Sequence, residues 1–293
     1  MGAAENPEPS SDTAAIFNDI LSPLAFRAPE ALRRMPTWQE HIPFAFWLME
    51  RARPRVVVEL GTFTGSSYLA FCQAVQALEL PARCYGIDTW SYGPGPRGDQ
   101  VYRDLVDYHD PRYAAFSRLI RGTFDQARAQ FEDGTVDLLH IDGRHSYEAV
   151  RHDFESWRPK LSSRAVVLFH DSNVRGFVAG EEYGVFKLWS ELTAVYPDNF
   201  QFFHCDGLAV LGVGSDLPAV IRRFFAVARS PASAALIRNV YGRLGSHCST
   251  TSIQLFTREL LQDSLAAQSV PGEFDGNCGA KFDVFAHSVR WST

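Results

Sequence analysis

Short apolar runs alternate with helical patterns through the first two thirds of the chain. Each run is short, rich in Val, Ile and Leu, and bounded by turn residues, which predicts a strand. Between the runs, apolar residues recur every three or four positions, which predicts amphipathic helices. Because parallel neighbours need crossover connections, this alternation predicts a doubly wound, mostly parallel α/β sheet. The predicted strands are Arg55–Leu60, Cys84–Ile87, Arg118–Arg121, Val136–Ile141 and Ala165–Phe169.

The pattern changes at both ends of this repeating region. Two β-like runs, 200–204 and 208–213, are joined by Cys205-Asp206-Gly207, which predicts an antiparallel hairpin at the end of the sheet. From Leu217 onward the pattern is helical, with breaks near residues 242 and 266. Before the first strand, Thr37 and Glu40 have the spacing of a capping box, which predicts a helix that ends at Pro54.

Composition limits the classes of protein that this chain can be. At 293 residues and 46% hydrophobic, it can bury one large α/β core without disulfides. A net charge of −6 with interspersed signs gives no reason to expect nucleic acid or an anionic membrane as partner. The five cysteines are scattered and lack metal-site spacing, and the first 13 residues have no apolar signal region, so we expect a cytoplasmic protein with a disordered start.

Acidic residues stand at four of the five predicted strand ends. They are Glu59, Asp88, Asp142 and Asp171. In open parallel sheets, ligands bind beyond the carboxyl ends of the strands, so these acids are candidate ligand-binding groups. Glu59 precedes a turn containing Gly61 and Gly65, and a carboxylate there disfavours phosphate and favours a cationic or hydroxyl-rich ligand.

Three motifs together resemble those of a known family. They are Glu-x-Gly-x-x-x-Gly from Glu59, Leu-His-Ile-Asp-Gly-Arg-His-Ser-Tyr from Leu139, and Phe-His-Asp from Phe169. Over Trp38–Val213 the chain resembles class I S-adenosylmethionine-dependent methyltransferases. Within them it is similar to the small-molecule O-methyltransferases that include macrocin-type sugar methyltransferases and cephalosporin-hydroxylase-like proteins. The resemblance implies a Rossmann-like, seven-stranded, mostly parallel sheet with a terminal antiparallel hairpin.

The same resemblance implies a division of the chain. Residues 1–14 are expected to be a disordered tail and 15–53 an N-terminal helical cap. Residues 54–214 are expected to form the S-adenosylmethionine-binding domain, and 215–293 a helical C-terminal extension.

The resemblance also implies which residues bind the cofactor. The backbone around Gly61 and Gly65 would approach its amino-acid part, and Glu59 would lie near its ammonium or organise the loop. Asp88 would accept hydrogen bonds from the ribose hydroxyls, and Thr123 and Phe124 would flank the adenine. The full expected set is Glu59, Gly61, Thr62, Gly65, Ser66, Ser67, Asp88, Thr123, Phe124 and Asp142, of which Ser66 and Ser67 could also cap the following helix.

Catalytic and metal-binding roles follow from the resemblance by position. His145 would be the general base, and Asp142 a catalytic residue and ligand of a divalent metal such as Mg²⁺, with Asp171 a second ligand. His170 departs from the acidic pair of metal-dependent relatives, and imidazole is a poor ligand for Mg²⁺. Three alternatives stay open: fewer acids hold the ion, His170 helps to hold a different ion, or His170 replaces the metal.

Several of these residues also have ordinary structural interpretations. His145 could cap the helix that begins near Ser146, and His140 lies inside a strand as a core residue. Asp153 is expected on a solvated helix face together with its charged neighbours. The loop from Trp90 to residue 100 is a candidate mobile cover beside Asp88.

Three functions compete at this point. The first is an O-methyltransferase of the EC 2.1.1 class that acts on a small hydroxylated acceptor, with a sugar of a natural product or glycan favoured by the subgroup. The second is a nicotinamide-dependent oxidoreductase, but the chain lacks Gly-x-Gly-x-x-Gly after its first strand. The third is a non-catalytic cofactor-binding or accessory protein of a hydroxylase or glycosyltransferase system. A homo-oligomer is compatible with all three.

Overall fold

A seven-stranded sheet forms the centre of the protein. A computed structural model describes residues 17, 19–32, 36–91, 97–178 and 180–268. The strand order is β3-β2-β1-β4-β5-β9-β8, and a separate two-stranded pair is formed by β6 and β7. The strands are β1 Val56–Leu60, β2 Arg83–Asp88, β3 Ser117–Arg121, β4 Val136–Ile141, β5 Leu161–His170, β6 Phe177–Val178, β7 Glu181–Glu182, β8 Asn199–Phe202 and β9 Leu208–Gly212.

Helices connect most of these strands and complete both ends of the described chain. Three short 3₁₀ helices, Pro23–Phe26, Pro36–His41 and Arg158–Lys160, add single turns. The α-helices are α1 Ile42–Ala52, α2 Ser66–Ala77, α3 Arg97–Tyr113, α4 Phe124–Arg128, α5 Tyr147–Trp157, α6 Val185–Val195, α7 Ala219–Ala228 and α8 Pro231–Gln268.

The register of the parallel strands brings their carboxyl ends to one edge of the sheet. Leu60 at the end of β1 pairs with Ile87 of β2 on one side and with Ile141 of β4 on the other. Ile141 pairs in turn with Phe169 of β5. The residues that follow these positions therefore lie side by side, as the acid-ended strands predicted.

The sheet ends in the predicted antiparallel pair. Strand β9 runs antiparallel to β5 and pairs with β8, which confirms the hairpin. The mixed, mostly parallel sheet with flanking helices confirms the predicted Rossmann-like fold class.

Alternate residues of the central strands enter two separate apolar cores. Val57 of β1 packs with α1 and α2, whereas Val58 packs with α5 and α6 on the opposite face. Glu59 follows on the same face as Val57 because side chains alternate along a strand. This carboxylate therefore points into the core under α1 and α2, not into solvent.

Two helix starts differ from the sequence predictions. Thr37 and Glu40 lie in the 3₁₀ helix before α1, which begins only at Ile42, so the capping box is wrong. Pro43 explains the later start, since proline is favoured in the first turn of an α-helix. Helix α2 is preceded by Gly65 in the left-handed region, and its start has no side-chain cap, so the capping role of Ser66 and Ser67 is also wrong.

The C-terminal segment is more continuous than its sequence pattern indicates. The separate helices expected after residue 230 form one helix, α8, which passes through Gly242 and Gly245. Gly245 has a packing role, because a Cβ there would lie 2.1 Å from the carbonyl oxygen of Glu40. The expected tail, residues 1–14, and the chain beyond residue 268 lie outside the described residues, as does most of the glycine-rich part of the predicted cover loop.

The described residues up to Ser252 form one unit, and those from Ile253 onward form a second. Within the part of the chain that the structure describes, none of the helices is both long and apolar enough to cross a membrane.

Candidate active site

The loops after β1 and β4 touch each other at the edge of the sheet. A Cβ on Gly61 would lie 2.0 Å from the carbonyl oxygen of Asp142, and Gly61 has a φ of +94°, so only glycine fits. Two backbone bonds fix the contact: Asp142 N–H donates to the Leu60 carbonyl at 2.8 Å, and Gly61 N–H donates to the Ile87 carbonyl at 2.9 Å. The glycine turn and the Asp142 turn are therefore one rigid unit.

Asp88 ties the glycine turn to the loop after β2. Its Oδ2 accepts the backbone N–H of Phe63 at 2.9 Å, and its Oδ1 accepts that of Trp90 at 2.8 Å. The Trp90 indole donates to the Phe63 carbonyl at 2.8 Å, which closes a small ring of bonds. Phe63 and Trp90 both have positive φ, near +45°, so this carboxylate holds two unfavourable backbone turns.

A buried chain of polar side chains lies beneath the glycine turn. The Trp38 indole donates to His140 Nε2 at 3.2 Å, so His140 Nδ1 carries the hydrogen that is shared with Glu59 Oε2 at 2.7 Å. Both members of the histidine–carboxylate pair are completely buried. Burial raises the pKa of Glu59, and the bond from His140 opposes that effect. His140 is thus a core residue, as expected, and it supports the Glu59 carboxylate.

His170 is surrounded by four hydrogen-bond acceptors. Its Nε2 lies 3.1 Å from the carbonyl oxygens of both Thr37 and Cys205. Its Nδ1 lies 3.1 Å from Asp171 Oδ2 and 3.4 Å from Asp142 Oδ1. Because carbonyl oxygens only accept, Nε2 carries a hydrogen, and two carboxylates favour a second one on Nδ1.

The charge of His170 and the charges of the two acids stabilise each other. Burial alone would lower the pKa of His170, but Asp142 and Asp171 raise it well above its ordinary value of 6.5. Burial alone would raise the pKa of Asp142, but the charge and hydrogen bond of His170 lower it to about 2. Without a bound ion, His170 is therefore an imidazolium between two carboxylates.

His145 projects from the turn after β4 toward the same acids. Its Nδ1 lies 3.2 Å from Asp171 Oδ2, and its ring stacks on Tyr183 at 4.6 Å with an interplanar angle of 21°. Its carbonyl accepts the Gly184 N–H at 2.7 Å. Helix α5 begins at Tyr147 after Ser146. The side chain of His145 thus binds Asp171 and does not cap the helix.

His145 and Asp171, called the His145–Asp171 dyad below, differ in solvent exposure. The side chain of His145 is 24% exposed and that of Asp171 is 10% exposed. Nδ1 of His145 faces the carboxylate, and its Nε2 has no hydrogen-bond partner among the described residues. A histidine in this state can accept a proton from a ligand hydroxyl.

Several residues at the site were not recognised from the sequence. Asp206 of the β8–β9 turn faces the cluster, since burial and the charge of Asp171 raise its pKa. Tyr183 and the carbonyls of Thr37 and Cys205 come from segments that carry no catalytic or ligand-binding motif. In the sequence, Asp206-Gly207 indicates a turn. The position of this acid at the tip of a hairpin that pairs with the last parallel strand is the feature that could have placed it at the site.

The remaining residues of the expected cofactor set lie around the glycine turn with differing side-chain roles. Thr62 is 2% exposed and packs against Gly86. Ser67 is buried in the first turn of α2, while the Ser66 hydroxyl lies 3.4 Å from that of Thr64. Thr123 caps α4 in a capping box with Gln126, and Phe124 reaches across to Gly143.

The donor atoms at the ends of β4 and β5 fit a divalent metal ion. Asp142, His170 and Asp171 each offer one ligand atom, and these atoms lie within 4.8 Å of one another. Nε2–H of His170 donates to backbone carbonyls, the arrangement that usually orients a metal-bound histidine through its other nitrogen. Two carboxylates and one imidazole suit Mn²⁺, Fe²⁺, Co²⁺ or Zn²⁺ better than Mg²⁺.

The strand-end acids, the glycine turn and the histidine pair all fall in a segment with recognisable relatives. Residues 58–172 match the model of a family described as a methyltransferase domain. The matched segment contains every charged group of the site described above except Asp206.

Two curated proteins are similar over longer stretches. The uncharacterized protein y4gI of Sinorhizobium fredii is 46% identical over 183 residues, which cover 61% of this chain and 19% of that protein. The O-methyltransferase ankF of Aspergillus thermomutatus is 26% identical over 133 residues, which cover 45% of this chain and 52% of that protein. The chain thus spans about a fifth and about half of these two relatives.

Solved structures with a related fold include two methyltransferases. The SAH-bound methyltransferase PaMTH1 of Podospora anserina is 12% identical, with a TM-score of 0.46 over 72% of this chain and 99% of that chain. The O-methyltransferase TomG of Streptomyces achromogenes, in complex with SAM, is 18% identical, with a TM-score of 0.45 over 63% of this chain and 91% of that chain.

We predict that His170→Gln lowers the free energy of unfolding in a pH-dependent way. The Asp142 contribution is full above its ordinary pKa of 3.8 and is lost as pH falls toward about 2. The His170 contribution is full below 6.5 and is lost as pH rises through its elevated pKa. The loss should therefore be greatest between about pH 4 and pH 6.5, at roughly 3 kcal/mol for a broken buried pair.

Urea unfolding of both proteins from pH 3 to pH 9, with a chelator present, measures this difference. Arg222→Gln, which removes an exposed ion pair with Asp216, is the control and should change stability by less than about 1 kcal/mol. A His170→Gln effect of equal size at every pH would show that the ring is neutral.

Proposed function

We propose that this protein is an S-adenosylmethionine-dependent O-methyltransferase that acts on a hydroxyl of a small molecule. The observation that carries the proposal is the His145–Asp171 dyad, with Nδ1 of the ring 3.2 Å from the carboxylate. The dyad lies at the edge of the sheet beside the glycine turn. Both of its residues fall within the segment that matches the methyltransferase-domain model. The name of the fungal relative supports oxygen as the atom that is methylated. The motif resemblance to sugar methyltransferases favours a sugar hydroxyl.

The cofactor would lie over the glycine turn. Gly61 and Gly65 leave the backbone open to a close ligand, and the Asp88 carboxylate stands at the neighbouring strand end, where it would accept hydrogen bonds from the ribose hydroxyls. Bound S-adenosylmethionine would supply an electrophilic methyl group. Asp142, whose side chain is 21% exposed, would face its positively charged end at the contact between the two loops.

His145 would remove the proton of the acceptor hydroxyl. Its Nε2 takes the proton as the acceptor oxygen forms its new bond to carbon, and the sulfur–carbon bond breaks with its electron pair remaining on sulfur. Asp171 holds the ring in the tautomer with hydrogen on Nδ1 and stabilises the imidazolium that forms. Tyr183 fixes the ring plane by stacking.

A divalent metal ion fits the same site, and we propose that Asp142, His170 and Asp171 hold it. The ion would lower the pKa of a bound acceptor hydroxyl and orient it. His170 would contribute Nδ1 and keep its hydrogen on Nε2 toward the two carbonyls. Of the three alternatives left open by the sequence, this donor set supports the use of an ion other than Mg²⁺.

The two other candidate functions have less support. A nicotinamide-dependent oxidoreductase would be expected to have Gly-x-Gly-x-x-Gly after β1, which this chain lacks, and the matched family model describes a methyltransferase domain. A non-catalytic binding protein would not need a partly exposed histidine beside a carboxylate. The dyad therefore favours an enzyme, and the glycine spacing with the family match favours methyl transfer over hydride transfer.

Calorimetric titration of the purified protein tests the cofactor. We expect binding of S-adenosylmethionine and its demethylated product, and no binding of NAD at the same concentrations. Glycosides and phenols are then screened as acceptors by release of S-adenosylhomocysteine. Binding of NAD without binding of S-adenosylmethionine would overturn the proposal.

We predict that His145→Ala lowers kcat for the acceptor found in that screen by about 100- to 10,000-fold, the range for loss of a general base. Cofactor affinity should change little, because no contact described above links this ring to the cofactor turn. His152→Ala is the matched control, since His152 is 60% exposed and pairs with Asp125 on the outer surface. Unchanged kcat in His145→Ala would exclude His145 as the base.

We predict that metal binding releases about one proton near pH 7, because His170 must lose its Nδ1 hydrogen to become a ligand. Calorimetric titration of Mn²⁺ and Zn²⁺ in two buffers with different ionisation enthalpies measures the proton directly. The release should disappear in His170→Asp, which should also bind Mg²⁺ relatively better. Metal binding with no proton release in the wild type would exclude His170 as a ligand.

A further inference from the structure

A buried carboxyl on α5 has no role in the chemistry described so far. Asp153 is 7% exposed, although the sequence predicted a solvated position. Its carboxyl has no hydrogen-bond partner among the described residues, and burial raises its pKa to about 7. The charge of His152 opposes the effect of burial only in part, so a ligand that donates a hydrogen bond to this carboxyl would stabilise it.

The carboxyl points toward the turn that follows Asp142. Asp153 Oδ2 lies 3.4 Å from the point where a Cβ on Gly143 would be, and Phe124 Cε2 lies 2.6 Å from the same point. Gly143 is therefore required for space, since any side chain would enter the place where the ring and the carboxyl converge. The small remaining exposure of Asp153 leaves room for one polar contact.

Phe124 connects this point to the rest of the cofactor site. It begins α4 directly after the loop that follows β3, and it reaches the loop after β4. Strands β2 and β1 lie between β3 and β4 in the sheet, so Phe124 crosses beyond the ends of the strands that carry Asp88 and Gly61. A ligand held by Asp88 and the glycine turn would have Phe124, Gly143 and Asp153 along one side.

The surface formed by Phe124, Gly143 and Asp153 suits a flat ring with an exocyclic amine. An aromatic side chain packs well against a planar heterocycle, and a carboxylate accepts an N–H donor strongly. We propose that Asp153 binds the 6-amino group of the cofactor's adenine and so selects adenine over other bases. This inference rests on the proposed function, because it takes S-adenosylmethionine as the ligand.

The other charged groups on the facing surfaces do not offer the same contact. Asp125 pairs with His152 at 3.0 Å and is about half exposed. Thr123 uses its hydroxyl to cap α4. Among the described residues of this surface, Asp153 is therefore the carboxyl that is buried and lacks a hydrogen bond.

A double-mutant cycle between protein and ligand tests the proposal. The proteins are wild type, Asp153→Ala and the nearly isosteric Asp153→Asn. The ligands are S-adenosylhomocysteine and its analogue with purine in place of adenine, which lacks only the amino group. Affinities are measured by calorimetry at pH 8, where the carboxyl is ionised, and folding is checked by thermal unfolding.

We expect the wild type to bind the purine analogue at least about tenfold more weakly than S-adenosylhomocysteine, the effect of a hydrogen bond to a charged group. Asp153→Ala should bind the two ligands within about threefold of each other, whereas Asp153→Asn, whose amide oxygen can still accept the bond without a charge, should give an intermediate ratio. Glu148→Gln, an exposed position on the same helix, is the control and should keep the wild-type ratio.

Three other outcomes would each contradict one of these inferences. Equal affinity of the wild type for the two ligands would overturn the role of Asp153 even if neither variant folded. A wild-type ratio that persists in Asp153→Ala would assign the amino group to another residue. No binding of S-adenosylhomocysteine to the wild type would overturn the proposed function itself, and the analogue would then not be needed.

Discussion

The contact between Gly61 and the carbonyl of Asp142 is the constraint on which the site depends. A side chain of any size at Gly61 would push the ends of β1 and β4 apart. Two of the functional groups are placed directly by those ends. Asp88 is tied to the end of β1 through Phe63, and His145 follows the end of β4 by four residues. The sheet register brings the strand ends together, and the missing Cβ brings their loops into contact.

Charge balance is the second organising feature. The protein buries Glu59, His170 and Asp171 and partly buries Asp142 at one edge of the sheet, and a buried charge is stable only when it is paired or hydrogen-bonded. Glu59 is hydrogen-bonded to a histidine whose tautomer Trp38 fixes, whereas the other two acids lie beside His170, which they share. The histidines on the adjacent strands β4 and β5 thus adopt different states because one faces an indole donor and the other faces only acceptors.

Much of the fold and part of the site could be predicted from the sequence. The alternation of apolar runs and helical patterns gave the parallel sheet, and Asp206-Gly207 gave the hairpin, because these signals are local. The positions of Asp142 and Asp171 at strand ends followed from the same pattern. Local signals also misplaced some elements: the cap at Thr37 was wrong because Pro43 sets the helix start, and Gly242 and Gly245 did not end α8. The partners of His170 and the burial of Asp153 depend on contacts between distant segments, which a single sequence does not show.

The two carbonyls that face His170 have a consequence for how such a site can diverge. Thr37 and Cys205 both lie outside the segment shared with the methyltransferase family, on either side of it. The acids and histidines could therefore be inherited unchanged while insertions in the flanking segments removed one carbonyl and admitted water. Because water donates as well as accepts, the hydrogen on Nε2 would no longer be required. The protonation of His170 would thus differ between proteins whose acids and histidines are identical.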